Sequence, residues 1–267
     1  MSNVTKKKYI RAENISKSFT IKDGDVKVLK NVSVTITQGE FVIIFGPSGC
    51  GKSTMLHTLL GLEAPTEGKV YVEDKDYYAM TEDDRAMYRR YHYGIIYQQP
   101  LWIASLSVKD NVAFTLHLTN YDEEKMYSKV QEMLTLVGME KWSEYRPMEL
   151  SSGQQQKISL ARAMMTEPQL IVADEPTGNL DTVSGQDLMN TFISLIKDGK
   201  SIIMVTHDLE YLKYGTKIVH MIDGSVVEEY KPQQKNKLSQ FQGKKNIGSD
   251  NGIANVHDPK LLEKLQL

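Results

Sequence analysis

The stretch GPSGCGKST contains residue types suited to holding phosphate. It fits the pattern G-x-x-x-x-G-K-[ST], in which glycines allow successive backbone N–H groups to face phosphate oxygens. The amine of Lys52 would reach the β- and γ-phosphates, and the hydroxyl of Ser53 would bind Mg²⁺. Cys50 stands at a variable position of the loop, so its thiol has no catalytic role. The predicted nucleotide contacts are Gly46, Pro47, Ser48, Gly49, Cys50, Gly51, Lys52, Ser53 and Thr54.

An acidic pair, Asp174 and Glu175, follows the apolar run LIVA. Asp174 would hold the metal, through water, at the carboxyl end of a strand, where ligands bind such sheets. Glu175 would orient or deprotonate a water that attacks the terminal phosphate. Taken alone, the pair could equally cap a helix, and its combination with the phosphate loop favours the chemical role.

Composition restricts the class of protein. The chain has 267 residues, 40% of them hydrophobic and 25% charged, with a formal net charge of -2. This is ordinary globular composition, and nothing in the charge balance indicates nucleic acid. The longest apolar run, FVIIF, is far shorter than the roughly 20 residues of a membrane-spanning helix. A single cysteine excludes an internal disulfide, and we expect a soluble intracellular protein.

Buried strands must position these residues. FVIIF precedes the phosphate loop, while QLIVAD and SIIMVTHD follow late in the chain with a helical segment between them. In that segment Leu188, Phe192 and Leu195 have helical spacing, and Gly199 marks its end. The order strand, helix, strand implies parallel pairing and therefore an α/β fold.

The remaining segments supply further elements. KKYIRAENISKSF, VKVLKNVSVTIT and GKVYVED have strand character, and IVHMIDGSVVEE indicates a hairpin at its Asp-Gly pair. Residues 81–166 are predicted to be mainly helical. From residue 231 onward seven lysines accompany three acidic residues, and we expect a poorly ordered basic tail over 231–267. This predicts one domain over 1–230, containing a helical subdomain at about 100–165, followed by the tail.

Five motifs stand in the order found in ATP-binding cassette (ABC) ATPases. They are GPSGCGKST, YQQ at 97–99, LSSGQQQ at 150–156, LIVADEPTGNLD at 170–181 and VTHD at 205–208. The chain resembles this family over about residues 9–229. The resemblance implies a P-loop NTPase (RecA-like) core with an antiparallel β subdomain and an α-helical signature subdomain. It also implies an ATPase that uses ATP and Mg²⁺.

The resemblance assigns roles to residues that chemistry alone leaves open. It implies that Gln98 touches Mg²⁺ and water, that His207 contacts the γ-phosphate, and that Asp181 crosses a dimer interface. It also implies that Phe19 stacks on adenine. From the residues alone, Gln98 could be a surface amide, His207 a core or capping histidine, and Phe19 a core residue.

LSSGQQQ contains no acid, base or strong metal ligand. In the family this signature presents a hydroxyl, backbone N–H groups and a helix N-terminus to the γ-phosphate held by another subunit. The resemblance therefore implies a homodimer, with Ser151, Gly153 and Gln154 contacting the nucleotide. Ser152 departs from the glycine usual there. A serine supplies the same N–H unless its backbone must adopt a positive φ.

Four stretches resemble the lipoprotein-release and macrolide-efflux type of cassette: GPSGCGKSTML, PTEGKVYV, LSSGQQQ and ADEPTGNLD. That type implies a transmembrane permease subunit with an extracytoplasmic domain, and a position on the cytoplasmic face of the cell membrane. A regulatory ATPase that gates an extracytoplasmic hydrolase is the alternative. A DNA-repair ATPase is disfavoured because residues 51–153 contain no long heptad segment. Trp102 and Ile103 lie where the permease docks, and they are interpreted either as partner contacts or as core residues.

Overall fold

The computed structural model describes residues 7–22, 24–119 and 121–232, so nearly all of the tail predicted over 231–267 lies outside the described residues. In chain order the strands are β1 (Lys8–Ile21), β2 (Gly24–Thr37), β3 (Phe41–Phe45), β4 (Glu67–Val72), β5 (Lys75–Asp76), β6 (Tyr93–Ile96), β7 (Leu170–Asp174), β8 (Ser201–Thr206), β9 (Lys217–Ile222) and β10 (Ser225–Tyr230). The helices are α1 (Lys52–Leu59), α2 (Glu82–His92), α3 (Val108–His117), α4 (Glu123–Leu136), α5 (Ser152–Met164) and α6 (Thr182–Lys197). Short 3-10 turns, including Leu209–Tyr214, join some of these elements.

The strands of the described residues form two sheets. A six-stranded sheet has the order β10-β9-β3-β8-β7-β6, and a four-stranded antiparallel sheet has the order β2-β1-β4-β5. Within the larger sheet β9, β3, β8, β7 and β6 are parallel, and β10 pairs antiparallel with β9. The predicted α/β class and the parallel pairing of β7 with β8 across α6 are confirmed.

The six-stranded sheet is covered on both faces, as the uninterrupted apolar run of β3 predicts. Ile43 packs with the core formed by α3 to α6, whereas Val42 and Ile44 pack with α1 and the antiparallel sheet. All five residues of β3 are buried. This three-layer arrangement holds the carboxyl ends of β3, β7 and β8 rigidly at one edge.

The segment from 81 to 166 is mainly helical, as expected, but it also contains β6. This strand starts directly after α2 and pairs in parallel with β7. The prediction of a mainly helical segment is therefore confirmed, and the strand Tyr93–Ile96 was not predicted. Within the described residues, no helix has both the length and the apolarity that crossing a bilayer requires.

Candidate functional site

The glycine-rich loop between β3 and α1 follows a path that excludes side chains at two of its glycines. A Cβ on Gly46 would lie 2.1 Å from the carbonyl oxygen of Met221. Gly51 has φ 98°, and a Cβ there would lie 2.9 Å from the carbonyl oxygen of Val28. Neighbouring backbone therefore leaves no space for a side chain at either position, as expected of a loop whose backbone approaches a phosphate closely.

Lys52 begins α1 and folds back across this loop. Its Nζ atom donates to the carbonyl oxygens of Gly46 at 2.9 Å and Pro47 at 3.0 Å, and the residue is 5% exposed. Among the described residues no carboxylate forms an ion pair with this ammonium. A buried cation held only by neutral carbonyls keeps its charge available for an anion, and a phosphate group suits that position.

Ser53 and Asp174 meet at the carboxyl end of β7. The Ser53 hydroxyl lies 3.4 Å from Asp174 Oδ1, which is long for a hydrogen bond of this kind. Burial is the main cause that raises the pKa of Asp174, and the nearby charge of Glu175 raises it further. A partly buried carboxylate beside a hydroxyl provides the oxygen ligands that Mg²⁺ prefers, so this pair fits the predicted metal site.

Glu175 is held next to His207. Its backbone N–H donates to the carbonyl oxygen of Val205 at 2.9 Å, and its φ of 46° lies in the left-handed region, which is unusual for glutamate. Its Oε1 atom lies 3.2 Å from Nδ1 of His207. The structure therefore brings together Glu175 and His207, two of the three residues predicted to be catalytic, from the ends of β7 and β8, and neither lies in the core.

A cavity of about 180 Å³ adjoins this pair. Thr177, Thr206 and Asp208 line it together with Glu175 and His207. Its polar wall and its size suit several ordered water molecules. A water molecule that Glu175 could activate therefore has space beside the carboxylate.

Gln98 lies in the loop after β6 and is exposed. Its amide nitrogen packs against Gly178, where an added Cβ would come within 2.8 Å of Nε2. Gly178 N–H in turn donates to the carbonyl oxygen of Glu175 at 3.1 Å. Gln98 thus contacts the turn that carries Glu175, and its role toward Mg²⁺ and water stays a prediction.

The signature starts α5 with a reciprocal cap. Gln154 N–H donates to Ser151 Oγ at 3.3 Å, and Ser151 N–H donates to Gln154 Oε1 at 3.0 Å. Ser152 is the first helical residue, and its φ is not positive. A serine therefore fits where the family has glycine, and its N–H points from the exposed start of the helix.

Gly153 is constrained by contact and not by backbone conformation. A Cβ there would lie 2.6 Å from Ser184 Oγ on α6. Ser184 also binds Asp181, through its N–H at 3.0 Å and its hydroxyl at 2.7 Å. These hydrogen bonds, the backbone one first, lower the pKa of Asp181. The signature and Asp181 are therefore neighbours on one chain, and the interface role of Asp181 stays a prediction.

Phe19 is 37% exposed on β1, and the Lys17 ammonium lies 4.9 Å from the centre of its ring. The ring is thus not a core residue, and its contact with adenine stays a prediction. Trp102 is partly buried against the larger core, while Ile103 is exposed. Trp102 therefore packs against the core, and a partner contact of Ile103 stays a prediction.

Two residues that support the site were not found from the sequence. Gln156 is buried, and its Nε2 donates to the carbonyl oxygen of Tyr97, next to Gln98, at 3.0 Å. Ser184 joins α5 to α6. Helical periodicity was a usable signal for Gln156, because it shares the buried face of α5 with Leu160. No local signal marks Ser184.

A family model described as ABC transporter matches residues 29–178. An uncharacterised ABC transporter ATP-binding protein of Methanocaldococcus jannaschii is 41% identical over 219 residues, covering 82% of this chain and 98% of that protein. The macrolide export ATP-binding/permease protein MacB of Bartonella henselae is 37% identical over 217 residues, covering 81% of this chain and 33% of that protein. The chain thus spans about a third of the length of the macrolide export protein.

Two solved structures are also similar. The dimeric structure of a bacterial ABC transporter cassette has a TM-score of 0.78 and 36% identity, and the match covers 83% of this chain and 98% of that one. A post-hydrolysis dimer of an ATP-binding cassette, bound to ADP and Pi, has a TM-score of 0.78 and 35% identity, with the same coverage.

Proposed function

The chain belongs to the ABC transporter family as an ATP-binding and ATP-hydrolysing cassette, and we propose that it works as a homodimer that drives a transmembrane permease. The observation that carries this proposal is the convergence at one sheet edge of a buried ammonium, an oxygen pair suited to Mg²⁺ and the contact between Glu175 and His207. These groups follow the carboxyl ends of three neighbouring strands, β3, β8 and β7, where ligand sites of such sheets lie.

In the proposed reaction Lys52 and the loop N–H groups hold the β- and γ-phosphates. Glu175 accepts a proton from the attacking water, the bond between the γ-phosphorus and the β–γ bridging oxygen breaks, and ADP and inorganic phosphate leave. His207 donates a hydrogen bond to the γ-phosphate and holds Glu175 beside it. Ser53 and Asp174 would hold Mg²⁺, which would supply positive charge to the phosphate oxygens.

The signature motif supports the proposed homodimer. Ser151 and Ser152 are exposed at the start of α5, and no hydrogen bond among the described residues joins 151–156 to 46–54. The Ser151 hydroxyl, the Ser152 N–H and the helix N-terminus would form an anion site, and none of them has a partner in its own chain's phosphate loop. In the proposed dimer each signature meets the γ-phosphate held by the other copy.

A groove of about 540 Å³ supports a permease contact. Leu101 is 71% exposed and Leu118 is 54% exposed at this groove, and the arginines that line it are Arg89, Arg90 and Arg162. Exposed apolar surface between cations suits a short permease helix that carries apolar and acidic residues. This contact would place the cassette on the cytoplasmic face of the membrane. The proposed permease has an extracytoplasmic domain, as in the lipoprotein-release and macrolide-efflux type. No observation favours the regulatory alternative.

Replacement of Glu175 by glutamine tests the function. Glu175→Gln removes the proton acceptor and keeps the side-chain shape, so we expect Mg²⁺-dependent ATP turnover to fall at least about 10²-fold. ATP should remain bound, and a dimer should accumulate in sedimentation runs with Mg²⁺-ATP. Glu210→Gln, an exposed carboxylate at the same cavity, is the matched control and should keep wild-type turnover. Near-normal turnover of Glu175→Gln would show that another group activates the water.

A further inference from the structure

A side-chain amide connects Trp102 to the residue that precedes the signature serine. The indole Nε1–H of Trp102 donates to Gln155 Oε1 at 2.8 Å. Nε2 of the same glutamine donates to the carbonyl oxygen of Leu150 at 3.0 Å. Leu150 is covalently bonded to Ser151. Two hydrogen bonds therefore link the loop after Gln98 to the start of the signature.

Arg162, which lies on α5 like Gln155, packs on the ring of Trp102. Its guanidinium carbon lies 4.5 Å from the centre of the ring, and its Nη1 donates to the carbonyl oxygen of Leu101 at 2.6 Å. Gln155 and Arg162 are seven residues apart, which places both on one face of α5. The indole thus has one defined orientation, set by a stacked cation and an amide acceptor.

Packing alone does not require this arrangement. A leucine at position 155 would fill space beside the ring, but it would leave the indole N–H and the Leu150 carbonyl without these partners. The adjacent Gln156 also reaches this loop, at the Tyr97 carbonyl. Two consecutive glutamines of the signature are therefore hydrogen-bonded to the segment that carries Gln98, and a shift of that segment moves the start of α5.

We propose that Trp102 is a positioning residue for ATP hydrolysis, which acts through Gln155 and Leu150 to aim Ser151 at the nucleotide of the partner chain. This inference rests on the proposed homodimer, because Ser151 has no role toward its own phosphate loop. Trp102 touches no substrate. It fixes the direction in which the hydroxyl and N–H groups of the signature point.

Trp102→Phe tests the link in the Glu175→Gln background. Phenylalanine keeps an aromatic ring for Arg162 and removes the N–H donor, so we expect the dimer to dissociate about tenfold more readily in sedimentation runs with Mg²⁺-ATP. The affinity of the monomer for a fluorescent ATP analogue should not change, because residues 46–54 are untouched. In the chain with Glu175 intact, kcat should fall while the KM for ATP changes little.

Trp142→Phe is the matched control, because Trp142 is also partly buried against the larger core. It should leave dimerisation unchanged. Gln155→Leu should reproduce the effect of Trp102→Phe. A variant that carries both changes should form a dimer as stable as that of Gln155→Leu alone, because both changes break the same link. Melting temperatures verify that each variant folds.

The outcomes separate this inference from the function on which it rests. If Glu175→Gln does not dimerise with ATP, the proposed homodimer fails, and the inference fails with it. If Glu175→Gln dimerises and the added Trp102→Phe leaves dimerisation unchanged, the inference alone is overturned. Equal losses of monomer ATP affinity and of dimerisation would also overturn it, because they would show a structural role.

Discussion

Lys52 lies among carbonyl oxygens and not among carboxylates, and this difference explains much of the site. The ammonium faces neutral oxygens, while the partly buried Asp174 carboxylate lies at the end of β7. Burial disfavours the ionised form of Asp174 and raises its pKa. A cation bound beside Asp174 would offset that cost.

Asp174→Asn makes that cost measurable. Burial raises the pKa of Asp174 in the folded chain above its unfolded value, so the ionised carboxylate destabilises the fold at pH values above the folded pKa. Asparagine cannot ionise. Without nucleotide, Asp174→Asn should therefore raise the melting temperature at neutral pH, on the order of 1–3 °C.

This advantage should shrink as the pH falls toward the ordinary carboxyl range, where wild-type Asp174 is also protonated. Thermal unfolding measured across a pH series checks the trend. Asp83→Asn, an exposed position in the first turn of α2, is the control and should show no such gain. A lower melting temperature of Asp174→Asn at neutral pH would contradict the account. In the same variant Mg²⁺-dependent turnover should be lost.

The contact between α5 and α6 holds the signature motif beside Asp181. Gly153 allows the start of α5 to approach Ser184, which in turn binds Asp181. Lys157 adds an ion pair with Asp187 at 3.2 Å between the same helices. This ion pair is a second link between the two helices.

Gly153→Ala should displace the signature without affecting the nucleotide loop. The new methyl group would lie 2.6 Å from Ser184 Oγ, so either α5 or Ser184, which binds Asp181, must shift, and we expect turnover to fall by about tenfold. ATP-analogue affinity of the monomer should stay at the wild-type value. Ser152→Gly should keep turnover near wild type, because Ser152 already has ordinary helical backbone. A large rise in turnover for Ser152→Gly would contradict this reading of the signature.

The elements around the site differ in how far local sequence predicts them. The phosphate loop and the strand before it follow from the adjoining stretches FVIIF and GPSGCGKST, and the strand is confirmed at Phe41–Phe45. Strand β6 was missed because YGII is four residues long and directly follows a charged helix without a glycine or proline break. Its pairing with β7 is distant in sequence. The contacts of Trp102 and Ser184 are equally non-local, and only the fold brings them together.

On the scale of the whole molecule, the described residues divide the chemistry between two places. One holds the phosphate loop, Asp174, Glu175 and His207, and the other holds the signature with Asp181. The similar solved cassettes include dimers, one of them bound to ADP and Pi. A symmetric pair in which each signature faces the other chain's phosphate loop would complete two equivalent sites.

Mixing two inactive variants tests this central claim most directly. Lys52→Ala damages the phosphate loop, and Ser151→Ala damages the signature, so either homodimer contains two damaged sites. Random pairing makes half of the dimers mixed, and each mixed dimer has one intact site, so equimolar mixing should restore about a quarter of the wild-type ATPase rate. If the mixture stays as inactive as its two components, the site is not shared between two chains, and the account is contradicted.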